Sequence, residues 1–155
     1  MTFVIESRSA RETKAWGRRL AAMLSGGELL GLTGELGAGK TCFVKGMAHG
    51  LSLREEEILS PTFTMIQEHR GRMLFYHIDL YRLDSAGLDD IGLREYLFSD
   101  GVTAVEWFER LREAPELDFL SIRLSYSGAN TRRIEFAAQG GRYSELIESL
   151  RRRFA

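Results

Sequence analysis

The stretch Leu29-Leu-Gly-Leu-Thr-Gly-Glu-Leu-Gly-Ala-Gly-Lys-Thr41 decides the fold of this chain. It begins as a short apolar strand, continues through a glycine-rich turn and enters a helix near Lys40. The turn matches the phosphate-binding pattern G-x-x-x-x-G-K-[ST] at every fixed position from Gly34 to Thr41. Because a strand precedes the pattern and a helix follows it, we interpret the turn as a nucleotide site rather than as a turn without a ligand.

The residue types in this turn suit the binding of phosphates. Glycine allows positive φ and a close approach to phosphate oxygens, and the turn amides favour an anion at the helix N-terminus. Lys40 can reach the β- and γ-phosphates, and the Thr41 hydroxyl can bind a Mg²⁺ that bridges them. The residues predicted to contact the nucleotide here are Gly34, Glu35, Leu36, Gly37, Ala38, Gly39, Lys40, Thr41 and Cys42.

Length and composition indicate one globular domain, residues 1–155, of which 44% are hydrophobic and 28% charged. The single cysteine, Cys42, excludes an internal disulfide and suits a reducing compartment. No apolar run approaches the roughly 18 residues of a membrane-spanning helix, and the N-terminus lacks a signal-peptide pattern. We therefore expect a cytoplasmic protein that does not contact a membrane.

The overall charge gives no argument for nucleic-acid binding, because the formal net charge is −1. A basic run, Arg151–Arg153, nevertheless lies close to the end of the sequence. Two interpretations stay open for it. The arginines can be solvated cations on the last turn of a helix, where they suit the helix dipole, or they can contact nucleic acid.

The phosphate-binding loop, together with hydrophobic periodicity, predicts an α/β fold of the phosphate-loop NTPase type, with three layers. We expect a mixed sheet with a parallel core, antiparallel hairpins and helices on both faces. The hairpin prediction rests on two β-prone runs around Gly71. The predicted helices span Ala10–Leu24, Thr41–Gly50, Ser85–Ser99 (one helix or two short ones) and Arg142–Phe154; the predicted strands span Thr2–Glu6, Glu28–Leu32, Phe63–His69, Met73–Tyr81, Gly101–Trp107, Leu117–Tyr126 and Arg132–Ala137.

Two carboxylates are candidates for holding Mg²⁺, because each follows an apolar strand and the metal lies at the carboxyl end of a parallel strand beside the loop. Glu106 is the first candidate and Asp79 is its rival. The alternative for Glu106 is a simple ion pair at a strand end. His77, two residues before Asp79, is either part of a metal pair or a hydrogen-bonded strand histidine.

A stiff corner is predicted at Ser60-Pro61-Thr62, because proline fixes its own φ and extends the residue before it. The hydroxyl of Thr62 at such a corner can sense a γ-phosphate or its metal, as the switch loops of nucleotide-binding proteins do. A bare turn would have the same local sequence, so both interpretations stay open.

The type of nucleotide can be narrowed from the sequence. Guanine-specific GTPases use an Asn-Lys-x-Asp loop, whereas the only asparagine here, Asn130, is followed by Thr-Arg-Arg. Adenine, or weak base selectivity, is therefore expected. Three classes of function remain: an ATPase, a small-molecule kinase with Arg110 or Arg112 on a lid, and a nucleotide-dependent switch or assembly factor.

Four motifs in this order carry a family resemblance: the phosphate loop, Ser60-Pro61-Thr62-Phe63, His77-Ile-Asp79-Leu-Tyr81-Arg82 and Val105-Glu106-Trp107. Together they resemble the TsaE (YjeE) family, the small bacterial ATPase of tRNA threonylcarbamoyladenosine (t6A) synthesis, over roughly residues 5–140. The loop alone is shared by a very large superfamily, but the combination is specific.

The resemblance implies a single α/β domain that binds ATP and Mg²⁺ and slowly hydrolyses ATP to ADP by itself. It implies two partners, the threonylcarbamoyl-transferase subunit and its paralogue (TsaD and TsaB type), which modify adenosine 37 of tRNA. Contact with tRNA would then be indirect, and another enzyme would make the carbamoyl-adenylate.

The resemblance also implies roles for individual residues. Asp79 would orient or activate the attacking water, and Trp107 would lie beside the site. Arg132 or Arg133 would approach the nucleotide. The remaining roles are Mg²⁺ binding by Thr41 and Glu106, phosphate binding by Lys40 and a switch-like position for Thr62.

The residues themselves indicate that turnover by the chain alone is slow, since no arginine finger is evident beside the lysine, the metal and the water-orienting carboxylate. A partner that supplies or orders a cation would raise the rate by about 10³–10⁵-fold, as in known arginine-finger systems. Arg82, three residues after Asp79, is a candidate for that cation within the chain.

Overall fold

The computed structural model describes residues 1–59 and 65–155, which form a mixed sheet with helices around it. No helix within these two ranges is both long and apolar enough to cross a lipid bilayer. The strands are β1 Thr2–Ser7, β2 Leu29–Thr33, β3 Ile66–Arg70, β4 Leu74–Asp79, β5 Val102–Glu106, β6 Phe119–Tyr126 and β7 Arg132–Gln139. The helices are α1 Ala10–Ala21, α2 Lys40–Gly50, α3 Leu93–Leu97 and α4 Gly141–Phe154.

The sheet has the strand order β1-β7-β6-β2-β5-β4-β3. Its centre is parallel, because β2 pairs in parallel with both β5 and β6, and β4 pairs in parallel with β5. Antiparallel pairs extend it on both sides: β3 with β4 at one edge, and β6 with β7 and β7 with β1 at the other. The predicted α/β fold with a parallel core and antiparallel hairpins is confirmed.

Apolar side chains cover both faces of the sheet. The larger cluster joins the sheet to α1, α2 and α4 through residues such as Trp16, Phe43 and Ile147. The second cluster lies on Leu29, Ile78 and Val105 and includes residues of α3 and of the irregular segments around it. Helices therefore lie on both faces, as predicted, although one short helix and loops cover the second face.

Helix α1 begins at Ala10, as predicted, and Ser9 caps it. The Ser9 side chain accepts a hydrogen bond from the backbone N–H of Glu12 at 3.1 Å, which satisfies one of the free donors of the first turn. The helix ends at Ala21 and not at Leu24, which corrects the predicted boundary. Beyond Ala21 the chain closes in tighter turns, such as Leu24 N–H to the Ala21 carbonyl, and Leu24 still reaches the core.

The segment Ser85–Ser99 is not the predicted helix or helix pair, because only Leu93–Leu97 is helical. The backbone of its first part forms hydrogen bonds with a distant segment instead of a helix. The N–H of Ala86 donates to the Arg110 carbonyl at 2.8 Å, and the Ala86 carbonyl accepts from the Arg112 N–H at 2.8 Å. The apolar periodicity reflects burial of the side chains along an irregular path and not a continuous helix.

The basic run at the end of the sequence lies on the last turn of α4, as one of the two interpretations expected. Arg151 donates to the carbonyl of Thr2 at 2.9 Å, and its guanidinium lies 5.7 Å from the ring centroid of Phe3. Arg153 lies over the ring of Phe154 at 5.8 Å. These contacts tie part of the run to the protein itself, which is consistent with solvated cations on a helix end.

Candidate functional site

The glycine-rich loop joins the end of β2 to the start of α2, as predicted. At Gly34 the φ angle is 144°, and an added Cβ would lie 2.3 Å from the Leu124 carbonyl oxygen, so a side chain does not fit. Gly39 directly precedes α2 with φ of 110°, which is also a glycine conformation. These angles bring the loop to the N-terminus of α2, where backbone amides and the helix dipole favour a phosphate.

The side chain of Lys40 folds back over the loop. Its Nζ donates to the carbonyl oxygens of Gly34 and Glu35, at 2.5 and 2.9 Å, and lies 4.2 Å from the ring centroid of Trp107. Burial lowers the pKa of Lys40 from its usual value, and nearby carboxylates, first of all Glu106, oppose that shift. Lys40 is thus a buried ammonium beside the loop, and phosphate oxygens would be stronger acceptors for it than carbonyls.

The hydroxyl of Thr41 is hydrogen-bonded to the carboxylate of Glu106, although the two residues are far apart in sequence. The Thr41 Oγ1 lies 2.9 Å from Oε1 and 3.0 Å from Oε2 of Glu106. Strand β5 lies next to β2 in the sheet, so its last residue reaches the start of the helix that follows β2. Glu106 is therefore the carboxylate in contact with Thr41, the position that the sequence indicated for a Mg²⁺ ligand.

Asp79, the rival candidate, lies beside Glu106 at the end of β4, one strand further from the loop. Its Oδ1 accepts a hydrogen bond from the backbone N–H of Tyr81 at 2.8 Å. Burial, followed by the negative charge of Glu106, raises the pKa of Asp79 above its ordinary value. The two carboxylates are neighbours but have different partners: Asp79 accepts from a backbone N–H, whereas Glu106 contacts the Thr41 hydroxyl.

A cavity of about 510 Å³ opens between the loop and the two strand ends. Its size is typical of a small-molecule site. The cavity brings together residues that were predicted from the sequence to bind the nucleotide, to hold Mg²⁺ and to orient the water, and it also includes Arg82. Its lining residues are Leu36, Gly37, Gly39, Lys40, Thr41, Asp79, Tyr81, Arg82, Glu106 and Trp107.

Trp107 lines the cavity beside Lys40, and Arg110 packs against the Trp107 ring. Trp107 has φ of 58°, an unusual backbone conformation for a bulky residue, directly after β5. The Arg110 guanidinium lies 4.7 Å from the Trp107 ring centroid and donates to the carbonyls of Tyr81 and Leu83. Arg110 was predicted from the sequence only as a possible kinase lid residue, and its position three residues after Trp107 was the signal for this packing.

A second cavity of about 520 Å³ shares Gly37 and Gly39 with the first. Arg132 lines it, with its guanidinium 4.2 Å from the ring centroid of Tyr126, whereas Arg133 pairs with Glu135 at 2.9 Å. Of the two arginines that the sequence offered for nucleotide contact, Arg132 is therefore the one beside the loop. The other lining residues are Arg8, Ser9, Ala10, Thr13, Ala38, Cys42 and Asn130.

His77 is buried in β4, and its Nε2 lies 2.5 Å from Oε2 of Glu106. The described ranges contain no group of three or more His, Cys, Asp and Glu residues arranged to hold a metal ion. The geometry therefore favours the hydrogen-bonded histidine over the metal pair. The partner, Glu106, was not predicted from the sequence. Thr62 and the rest of residues 60–64 lie outside the described residues, so the switch-like position of Thr62 stays a prediction.

Comparison with known proteins gives consistent matches. A sequence model described as "Threonylcarbamoyl adenosine biosynthesis protein TsaE" matches residues 7–134. The tRNA threonylcarbamoyladenosine biosynthesis protein TsaE of Treponema pallidum (strain Nichols) is 46% identical over 125 residues, covering 79% of this chain and 92% of that protein. The protein of the same name from Bacillus subtilis (strain 168) is 42% identical over 142 residues, covering 91% of this chain and 89% of that protein.

A solved structure agrees with the sequence matches. The crystal structure of Bacillus subtilis YdiB superposes with a TM-score of 0.80 at 36% identity, covering 98% of this chain and 95% of that one. The sequence match spans the loop and both strand-end carboxylates, and the structural match spans nearly the whole sheet. The resemblance that the four motifs indicated is confirmed: the chain belongs to the TsaE family.

Proposed function

We propose that this chain is the Mg²⁺-dependent, ATP-hydrolysing subunit of tRNA N6-threonylcarbamoyladenosine biosynthesis in the cytoplasm. The observation that carries the proposal is the meeting of Lys40, Thr41 and Glu106 beside one cavity at the glycine-rich loop. The names of relatives that are 42% and 46% identical support the pathway. The chain acts with a threonylcarbamoyl-transferase and its paralogue, of TsaD and TsaB type, and does not itself form the threonylcarbamoyl-adenylate.

Binding of the nucleotide falls to the loop and its neighbours. The loop amides and the N-terminus of α2 receive phosphate oxygens, and Lys40 provides the cation for the β- and γ-phosphates. Arg132 and the second cavity continue this surface beyond Gly37 and Gly39, so Arg132 is the arginine that we assign to nucleotide contact. The loop thus lies between two cavities: the first contains the carboxylates Asp79 and Glu106, and the second contains Arg132.

The oxygen donors beside the loop fit Mg²⁺, which is usually held by one or two carboxylates together with substrate phosphates. Thr41 and Glu106 would hold it, because their oxygens already lie 2.9–3.0 Å apart. When bound, Mg²⁺ supplies neutralisation of the charge that develops on the phosphate oxygens during transfer.

Asp79 orients the attacking water. It lines the cavity beside Glu106, and the rise of its pKa caused by burial makes it a better proton acceptor than an exposed aspartate. The water oxygen bonds to the γ-phosphorus, the bond to the ADP oxygen breaks, and Asp79 accepts the water proton. The products are ADP and phosphate.

The proposal is tested by nucleotide binding and hydrolysis in Lys40→Ala. We expect loss of ATP binding at concentrations that saturate the wild type, since the phosphates lose their cation in a buried site. Trp107, 4.2 Å from Lys40, provides a fluorescence signal for the titration, best read in a Trp16→Phe background. Lys45→Ala is the matched control, because Lys45 is on the same helix and lines neither cavity.

Binding and hydrolysis of ATP by the wild type, alone and with the transferase subunits or a small acceptor molecule, decide between the candidate functions. Slow hydrolysis that rises on addition of the two transferase subunits supports the proposal. Rapid ADP formation that depends on a small acceptor molecule indicates a kinase instead. Absence of ATP binding by the wild type contradicts the whole proposal, including the interpretation of the glycine-rich loop as a nucleotide site.

We predict that Arg82→Ala lowers partner-stimulated ATP hydrolysis by about 10³-fold, the lower end of arginine-finger effects. Arg82 lines the cavity near Asp79, whereas Arg110 is held by the carbonyls of Tyr81 and Leu83. The measurement is steady-state ATP hydrolysis with both transferase subunits. Arg112→Ala is the control, since Arg112 is exposed and pairs with Asp90. If stimulated turnover survives in Arg82→Ala, Arg82 has no such role.

A further inference from the structure

The buried contact between His77 and Glu106 has no role in the function proposed so far. His77 is 1% exposed and Glu106 2% exposed, and the Nε2–Oε2 distance is 2.5 Å. Both oxygens of Glu106 also lie within 3.0 Å of Thr41 Oγ1. The carboxylate is therefore bonded from two sides, by the helix that follows the loop and by the neighbouring strand.

The role proposed for Glu106 assigns the donor in this contact. A carboxylate that holds Mg²⁺ can only accept hydrogen bonds, so that role requires Nε2 of His77 to donate to Glu106. The other ring nitrogen, Nδ1, is buried and has no hydrogen-bond partner among residues 1–59 and 65–155. Within the described part of the chain, Oε2 of Glu106 is thus the single hydrogen-bond partner of the His77 ring.

The geometry points to His77 as the positioning residue for Glu106. A glutamate side chain has three rotatable bonds, and the bond from His77 fixes the carboxylate in the orientation that faces Thr41 and the cavity. This inference rests on the proposed function, because the orientation matters when Thr41 and Glu106 together hold Mg²⁺. His77 touches neither nucleotide nor water in this scheme; it acts through Glu106.

Two substitutions of similar size separate the hydrogen bond from the bulk of the ring. The amide nitrogen of His77→Gln can lie where Nε2 lies and donate to Glu106. The amide nitrogen of His77→Asn reaches only the position of Nδ1, which has no partner in the described ranges. The first variant keeps the bond to the carboxylate, and the second removes it.

The test measures binding of a non-hydrolysable ATP analogue to the full chain as a function of Mg²⁺ concentration, by calorimetry or Trp107 fluorescence. We expect the Mg²⁺ midpoint to rise about 10–100-fold in His77→Asn, the usual effect of removing a group that orients a metal ligand. The midpoint of His77→Gln should stay close to that of the wild type. Affinity for the analogue without Mg²⁺ should be equal in all three proteins.

Equal Mg²⁺ midpoints in the wild type and both variants would overturn the inference. So would an equal loss of Mg²⁺-independent binding in both variants, because that would indicate a general structural role of the ring. If His77→Asn does not fold, His77→Met, which also lacks the donor, carries the same expectation. Wild-type protein that binds no analogue, or binds it without any effect of Mg²⁺, would instead contradict the proposed function itself.

Discussion

Replacement of Asp79 by asparagine is expected to lower ATP hydrolysis by about 10²–10⁴-fold, the usual contribution of a general base. Binding of ATP and Mg²⁺ should stay close to the wild-type level, because Asp79 does not contact Thr41 or Lys40 through any described hydrogen bond. Asparagine keeps the shape of the side chain and can accept the bond from the Tyr81 N–H, which Asp79 accepts at 2.8 Å. The measurements are steady-state hydrolysis and an ATP titration of the same preparation.

The same substitution should stabilise the fold at neutral pH. Burial raises the pKa of Asp79 in the folded chain above its ordinary value of 3.8, so the folded state holds the proton more tightly than the unfolded state. Stability contributed by this group is therefore full below the unfolded-state pKa and is lost as pH rises through the folded-state pKa. The gain from asparagine should be present at pH 7 and absent at a pH below 3.8.

Asp84→Asn is the matched control, because Asp84 is exposed and lies five residues further along the chain. Thermal unfolding of both variants at pH 7 compares their stabilities. A variant Asp79→Asn that hydrolyses ATP at the wild-type rate would show that Asp79 has no part in orienting the water. A decrease in its unfolding temperature would show that neighbouring groups in the folded chain stabilise the ionised Asp79 carboxylate by more than its burial costs.

The parts of the fold that depend on local sequence were predictable. The strand, loop and helix from Leu29 to Gly50 follow from glycine spacing and apolar periodicity, and so does the β3–β4 hairpin around Gly71. The segment Ser85–Ser99 was not predictable in this way. Its backbone pairs with residues 110–112, and local periodicity carries no information about such a distant partner.

The candidate site shows the same division. The motif predicted that Lys40 and Thr41 lie beside a strand-end carboxylate, because parallel strands present their carboxyl ends at one edge. Which carboxylate contacts Thr41 depends on strand order: β5 lies next to β2, so Glu106 reaches Thr41. The choice between Arg132 and Arg133 likewise depends on which face of β7 each side chain occupies, and thus on the pairing of β7 with β6.

Glu106→Gln is expected to abolish the effect of Mg²⁺ on nucleotide binding and to lower hydrolysis by at least about 10²-fold. Loss of metal-assisted charge stabilisation is worth several kcal/mol, and each 1.4 kcal/mol corresponds to about tenfold in rate. The variant thus differs from Asp79→Asn, which should keep its Mg²⁺-dependent binding. Binding of the ATP analogue with and without Mg²⁺ separates the two. Glu109→Gln is the control, since Glu109 is exposed three residues further on.

The effect of Glu106→Gln on stability should have the opposite sign to that of Asp79→Asn. The buried carboxylate of Glu106 accepts from Thr41 and His77 at once, and a neutral amide weakens both bonds, because a hydrogen bond to an ionised acceptor is roughly twice as strong as one to a neutral acceptor. The weaker bonds cost about 1–3 kcal/mol, or roughly 2–4 °C in unfolding temperature for each kcal/mol. If both variants were stabilised, the two hydrogen bonds would not hold the carboxylate in the folded chain. Opposite shifts would show that one of two adjacent carboxylates is built into the fold while the other is retained at the expense of stability, as a water-orienting group would be.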